Sequence, residues 1–399
     1  MENLLRRYAR LVITAQLKLV EGDSLSINTD SSTIQFARLL AKEATLSTRQ
    51  TVMIVEINHG KVVQAYPIDP AEKEIFRPPV RQVVMCHLID LDSRPYLSDI
   101  DLNQAKDEVS TLSQFGMLSE PVFLDRRIAV PWANIPYPGY NWAAQLLGKH
   151  ASDEAMWQLF SALYRLENDW ASSFWEEQGM MLEYRKQRLN TLGESQFTLE
   201  GDGWSLKAKQ AKQTLWAGGR SKLSNNRSFV PILPMQSIHA SLDCFSAEGS
   251  LIASRPFQVL GREVVGAQFT IKDGKVVAFH AEQGEEALAA FFAVDEGART
   301  VSELSLADND TMESRYLTKS IHPHFAKELT TTVVFGGFSI DVLATQQTDE
   351  DVDASNLCRS LVRLEIPVGD SHLSLKAKTS GGDEQIVMYE GIYTETGGV

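Results

Sequence analysis

Cysteine is scarce in this 399-residue chain: only Cys86, Cys244 and Cys358, far apart and with no C-x-x-C pair. That excludes a disulfide framework and a zinc knuckle, and a reducing, cytoplasmic compartment is expected. Long apolar runs are missing too. Nothing approaches the ~20 residues a membrane span requires, and the N-terminus lacks the apolar core and small-residue cleavage site of a signal peptide. Basic residues are in deficit, 38 Lys plus Arg against 52 Asp plus Glu. A net charge of -14 works against a phosphate backbone, so neither nucleic acid nor membrane is expected as a partner. No G-x-x-x-x-G-K-[ST] phosphate cradle and no G-x-S-x-G nucleophile elbow occurs.

What is present is enough apolar material, 43% of residues, to bury more than one core, so two domains are expected. Leu4, Leu5, Tyr8, Leu11, Val12 and Ala15 recur at helical spacing with Arg6, Arg7 and Arg10 between them, which predicts an amphipathic opening helix. Apolar runs at Leu25–Ile27, Val52–Ile57, Val83–Leu91 and Ile128–Val130, alternating with helical patterns such as Thr33–Ala44, predict an α/β layer with a largely parallel sheet. Long helices are expected from Asp153 to about Leu192. Beyond Asn190 the texture becomes β-rich. Alternation through Gln196–Leu206, and through Ala267–Phe279 across Asp273-Gly274, predicts hairpins. The domains are therefore placed at 1–190 and 191–399, with Gln346–Ala354 as a solvated acidic loop.

Several segments, in order, carry a family resemblance: Glu21-Gly-Asp-Ser-Leu-Ser-Ile27, Pro138-Gly-Tyr-Asn-Trp-Ala143, Arg188-Leu-Asn190, Gly201-Asp-Gly-Trp-Ser-Leu206 and Trp216-Ala-Gly-Gly219. Leu233-Pro234, Gly274-Lys-Val-Val-Ala278, Asp295-Glu-Gly-Ala-Arg299 and Ser302-Glu-Leu-Ser-Leu306 continue it. Together these resemble the aminopeptidase T/aminopeptidase S family of two-metal aminopeptidases. The resemblance implies an α/β plus α+β fold, with an N-terminal α/β domain and a β-rich catalytic domain carrying helices. It also implies a homodimer, and two Zn, Co or Mn ions that activate water against the first peptide bond of a short peptide. The implied ligands are two glutamates, two histidines, an aspartate and a tyrosine.

Most of those places are filled here by residues that do not bind metal. Gln236 or Ser237 stands for the first glutamate, and Glu303 retains the second. Thr332 replaces a histidine, and Phe338 or Ser339 the tyrosine. The final pair becomes Arg363-Leu-Glu365, in which Glu365 keeps a carboxylate. Arginine stays protonated and has no free lone pair. Beside a dication it is repelled by several kcal/mol even at an effective dielectric of ~20. Arg363 is therefore expected to pair with Glu303 or Glu365, conserving charge without ions. No catalytic residue is assigned, no metal is expected, and the chain is read as an inactive or diverged homologue, a pseudoenzyme binding a short peptide or partner. If a metal is held, the ligands are Glu303 and Glu365 with His322 or His324.

Rival readings attach to particular residues. A working aminopeptidase needs a rearranged site, and Ile321-His-Pro-His-Phe325 would supply it with Glu303 and His239 or Asp243. The intervening proline favours instead an extended surface segment. An iron dioxygenase of the ring-cleaving dihydroxypyridine type needs imidazoles where Thr332 and Arg363 stand. Asp295–Arg299 reads as structural, with Arg299 available to a carboxylate, and His280 as a satisfied strand-end histidine. Trp157, Tyr164, Trp170, Phe174 and Trp175 read as core or a dimer face.

Overall fold

The computed structural model of the chain describes residues 2–58, 61–70, 82–92, 101–107, 129–317, 322–343 and 354–394. Two compact units emerge: Met1–Ser93 with Leu118–Met181 and Gly219–Met235, and Arg94–Met117 with Leu182–Gly218 and Gln236–Val399. The division falls inside one helix, Ala171–Thr191.

The first unit is built on a five-stranded sheet in the order Lys61–Ile68, Val52–Asn58, Ser24–Thr29, Val83–Asp90, Trp132–Tyr137. The last four strands pair in parallel, while Lys61–Ile68 joins the edge antiparallel. Leu25, Ile27, Val52, Ile54, Val84, Cys86 and Leu88 are buried, as expected where helices cover a parallel sheet. The last strand lies beyond the expected Ile128–Val130. Ile128 is outside the described residues, and the alternation that makes a strand belongs to Trp132–Tyr137, where Ala133 and Ile135 turn inward. That strand contains Pro136, tolerated because an edge strand needs no donor on its open side. The Pro136 carbonyl instead accepts from the Tyr8 hydroxyl at 2.5 Å.

The opening helix, Glu2–Leu11, passes into a π-helical turn, Val12–Gln16, that the periodicity does not foretell. Its Tyr8 stacks on Phe36 of helix Ile34–Thr48, with ring centroids 5.0 Å apart, and meets Phe160 and Tyr164 of helix Asp153–Tyr164 edge-on. Trp157, Tyr164 and Trp175 are core residues, whereas Trp170 is 77% exposed.

The second unit carries the hairpins. Strands Ser195–Gly201 and Trp204–Lys209 pair antiparallel, as do Gln268–Lys272 and Lys275–His280, within one eight-stranded sheet. At the second turn Asp273 and Gly274 both have positive φ, +50° and +79°, the backbone demanded by a two-residue turn matched to strand twist. A five-stranded antiparallel sheet runs Arg363–Pro367, Thr332–Gly336, Val301–Leu306, Ile238–Ser241, Ala217–Gly218. Its central strand Val301–Leu306 is buried at every residue. Asp295 caps the short helix before that strand, accepting from Ala298 N at 2.8 Å, and also binds Ser360 Oγ and Leu361 N. That is a structural role. Arg299 donates to the Val276 carbonyl and lies over Phe279 and Phe292, while His280 ends its strand with Nδ1 2.6 Å from Glu285. Of the acidic loop, residues 346–353 lie outside the described residues.

Candidate functional site

Directly opposed residues of antiparallel strands share a face, and side chains two apart along a strand return to it. Ser241 opposes Glu303, Glu303 opposes Val334, and Val334 opposes Glu365. Glu303 and Glu365 thus lie on one face, and Arg363, two residues before Glu365, joins them.

The three close a network. Arg363 Nη2 and Nη1 donate to Glu303 Oε1 and Oε2 at 2.5 and 3.1 Å, and Nε donates to Glu365 Oε1 at 3.1 Å. Nη1 also reaches the Gly337 carbonyl at 3.2 Å, and Ser339 N donates to Glu303 Oε2 at 3.3 Å. Glu303 is fully buried, while Arg363 and Glu365 are about one-quarter exposed. The pairing expected from the sequence is present with both carboxylates. Burial alone pushes the Glu303 carboxyl up, but the Arg363 charge, then His239, the Arg363 hydrogen bonds and Lys327 outweigh it and hold it at about 2. For Arg363, burial favours loss of the proton, and Glu303 and Glu365 more than offset this, raising it above the ordinary guanidinium value.

At Gln236 and Ser237, expected from the sequence to stand for the first glutamate, a carboxylate arrives from elsewhere in the chain. Glu328 of helix Ala326–Leu329 accepts from Ser237 Oγ, Ser237 N and Gln236 N at 2.7–2.8 Å. Gln236 Nε2 donates to Glu313 of helix Met312–Tyr316 at 2.8 Å. Both glutamates are buried. The sequence reading missed them because they come from short helices with no charge pattern of their own.

His239 is buried on the same sheet, with Nε2 3.0 Å from Asp341 Oδ1. For Asp341, burial works upward, but His239 by charge and hydrogen bond, with Lys327 and Arg363, holds it below the usual carboxylate range. Asp243, considered beside His239, instead accepts from Phe245 N and Asn356 Nδ2. Thr332 and Phe338 are buried. The His322-Pro-His324 segment is a turn: His324 N donates to His322 Nδ1, and burial, with His324 nearby, holds His322 at about 3.

The donor chemistry does not fit two divalent ions. Both Glu303 oxygens and one Glu365 oxygen are engaged by donors, Gln236 and Ser237 donate to carboxylates, and Arg363 has nothing to give. Among the described residues, no three His, Cys, Asp or Glu side chains are placed to hold a metal ion.

The sequence matches the thermophilic metalloprotease (M29) family over residues 1–393. It is 22% identical to aminopeptidase 2 of Geobacillus stearothermophilus, covering 98% of this chain and 97% of that protein. It is 23% identical to aminopeptidase T of Thermus aquaticus, covering 98% of each. The fold matches wild-type AmpT from Thermus thermophilus with a TM-score of 0.78 at 19% identity, over 98% of this chain and 99% of that one.

Proposed function

This chain belongs to the thermophilic metalloprotease (M29) family, and on that footing we propose that it is an inactive member in which Arg363 supplies the positive charge that metal ions supply in a two-metal aminopeptidase. The fold of the family is kept. The observation that carries the reading is the two-point contact of Arg363 with buried Glu303, extended to Glu365. A dication there must displace or repel a guanidinium whose partners hold it protonated. Loss of a single partner around a metal commonly weakens binding roughly tenfold or more. With non-ligands at Gln236 or Ser237, Thr332, Phe338 or Ser339, and Arg363, the site is expected to bind Zn, Co and Mn poorly.

What remains is a cytoplasmic homodimer that retains the part-exposed Arg363, Glu365 and Asp341 as a polar surface for a short peptide or a partner chain. Elemental analysis of the purified protein, together with hydrolysis of aminoacyl-nitroanilides in added Co, Zn or Mn, tests this. Metal far below stoichiometry and no turnover are expected; near-stoichiometric metal with turnover overturns the proposal and makes the chain an aminopeptidase with a rearranged site.

A further inference from the structure

Behind the ion-pair network, the same sheet face carries a row of polar atoms that the proposed function leaves unused. His239 opposes Ser305, and Ser305 opposes Thr332, so the three stand side by side across three strands. Ser241, two residues on from His239, opposes Glu303 and lies diagonally beside Ser305. Ser241, Ser305 and Thr332 are 0% exposed and His239 1%. Ser241 Oγ, Ser305 Oγ, Thr332 Oγ1 and His239 Nδ1 have no hydrogen-bond partner among the described residues. One such orphan is tolerable; the three hydroxyls, side by side on adjoining strands, call for an occupant, because a buried polar atom without a partner forfeits its hydration, whereas His239 Nδ1 faces the Gly218 side of its strand.

We infer that this patch is an internal hydration site, holding at least one ordered water between strands Ile238–Ser241, Val301–Leu306 and Thr332–Gly336. Opposed residues have Cβ atoms roughly 4.5–5.5 Å apart, a span one water bridges with two ordinary hydrogen bonds. Buried waters typically make about three hydrogen bonds, and hydroxyls that both donate and accept supply them in either sense. A cation is the poorer occupant. Glu303, which Ser241 opposes, is already neutralised by Arg363, and Asp341 is engaged by His239, so neither carboxylate is left to offset a further positive charge. The inference stands apart from the proposed function, since the orphaned atoms are there whether or not the protein hydrolyses peptides.

Thr332→Val tests it in the full-length protein, because it removes the hydroxyl and little else. A bridging water loses a partner in this variant, and the melting temperature is expected to fall by about 2–4 °C, with a further fall in Ser305→Ala/Thr332→Val. In a dry site the same change deletes an unsatisfied polar atom, so an unchanged or raised melting temperature overturns the inference. If the variants fail to fold, a high-resolution crystal structure of the unaltered protein decides. Density within hydrogen-bonding distance of two or more of the three hydroxyls supports the site, and its absence refutes it.

Discussion

Arg363→Leu should expose what the guanidinium contributes. In the native protein Glu303 is fully buried and held at about 2, against about 4.5 for a free glutamate. At about 1.4 kcal/mol per pKa unit this corresponds to about 3 kcal/mol of stability at neutral pH, and removing one partner of a buried pair commonly costs about 3–5 kcal/mol. Because Arg363 is one-quarter exposed, the lower end is expected: about 3 kcal/mol, or about 6–12 °C in melting temperature for a unit of this size. The pH dependence carries a sign. The native Glu303 is depressed, so its contribution is complete above about pH 4.5 and disappears as pH falls towards about 2. Without Arg363, burial, the largest influence on Glu303, is opposed only by the His239 and Lys327 charges, so the carboxyl is expected to rise and the variant to gain stability as pH falls from 7 towards 4.5. Urea denaturation of both proteins at pH 7, 6, 5 and 4.5 should show the stability gap narrowing on acidification, with Glu303→Gln/Arg363→Leu recovering part of the loss at pH 7. A gap near zero at pH 7, or one that does not change with pH, refutes the reasoning.

Asp295→Ala, which strips the acceptor from Ala298 N, Ser360 Oγ and Leu361 N, should cost about 2 kcal/mol or more in chemical denaturation. Glu328→Ala leaves two backbone donors and the Ser237 hydroxyl without their acceptor. It should destabilise more than Ser237→Ala, for which about 1 kcal/mol is expected in the same assay. His322, held at about 3 by burial with His324 adding to it, stays neutral in the folded state. Stability is therefore complete above about pH 6.5 and lost below it, by about 2 kcal/mol at pH 5. His322→Asn should flatten the difference between urea midpoints at pH 7 and pH 5.

The ion-pair network was legible in the sequence through the family resemblance, which puts Arg363 where a histidine ligand is expected and Glu303 and Glu365 where carboxylates are, so that the guanidinium's charge points to those two as its partners. The hairpins were legible from residue type: Asp273-Gly274 states its backbone conformation in its residues. The supports of Gln236 and Ser237 were not. Glu313 and Glu328 lie 77 and 92 residues downstream of Gln236, on helices too short to show a period, and only tertiary contact brings them to the segment after Pro234. His239 likewise gave no hint that its partner is Asp341 and not Asp243, four residues away. In the first unit, an edge strand that contains Pro136 escaped a reading that sought continuous apolar runs, and the antiparallel Lys61–Ile68 escaped one that expected neighbours to run in parallel.

A positive charge fixed to the backbone at position 363 is synthesised together with the carboxylates it serves. Chelators have nothing to extract from such a pairing, no exchange with the cell's ion pools adjusts it, and its stoichiometry is one per chain from the moment of translation. Starvation for trace elements, which empties a loaded enzyme, would leave Glu303 with the same neighbour it has always had.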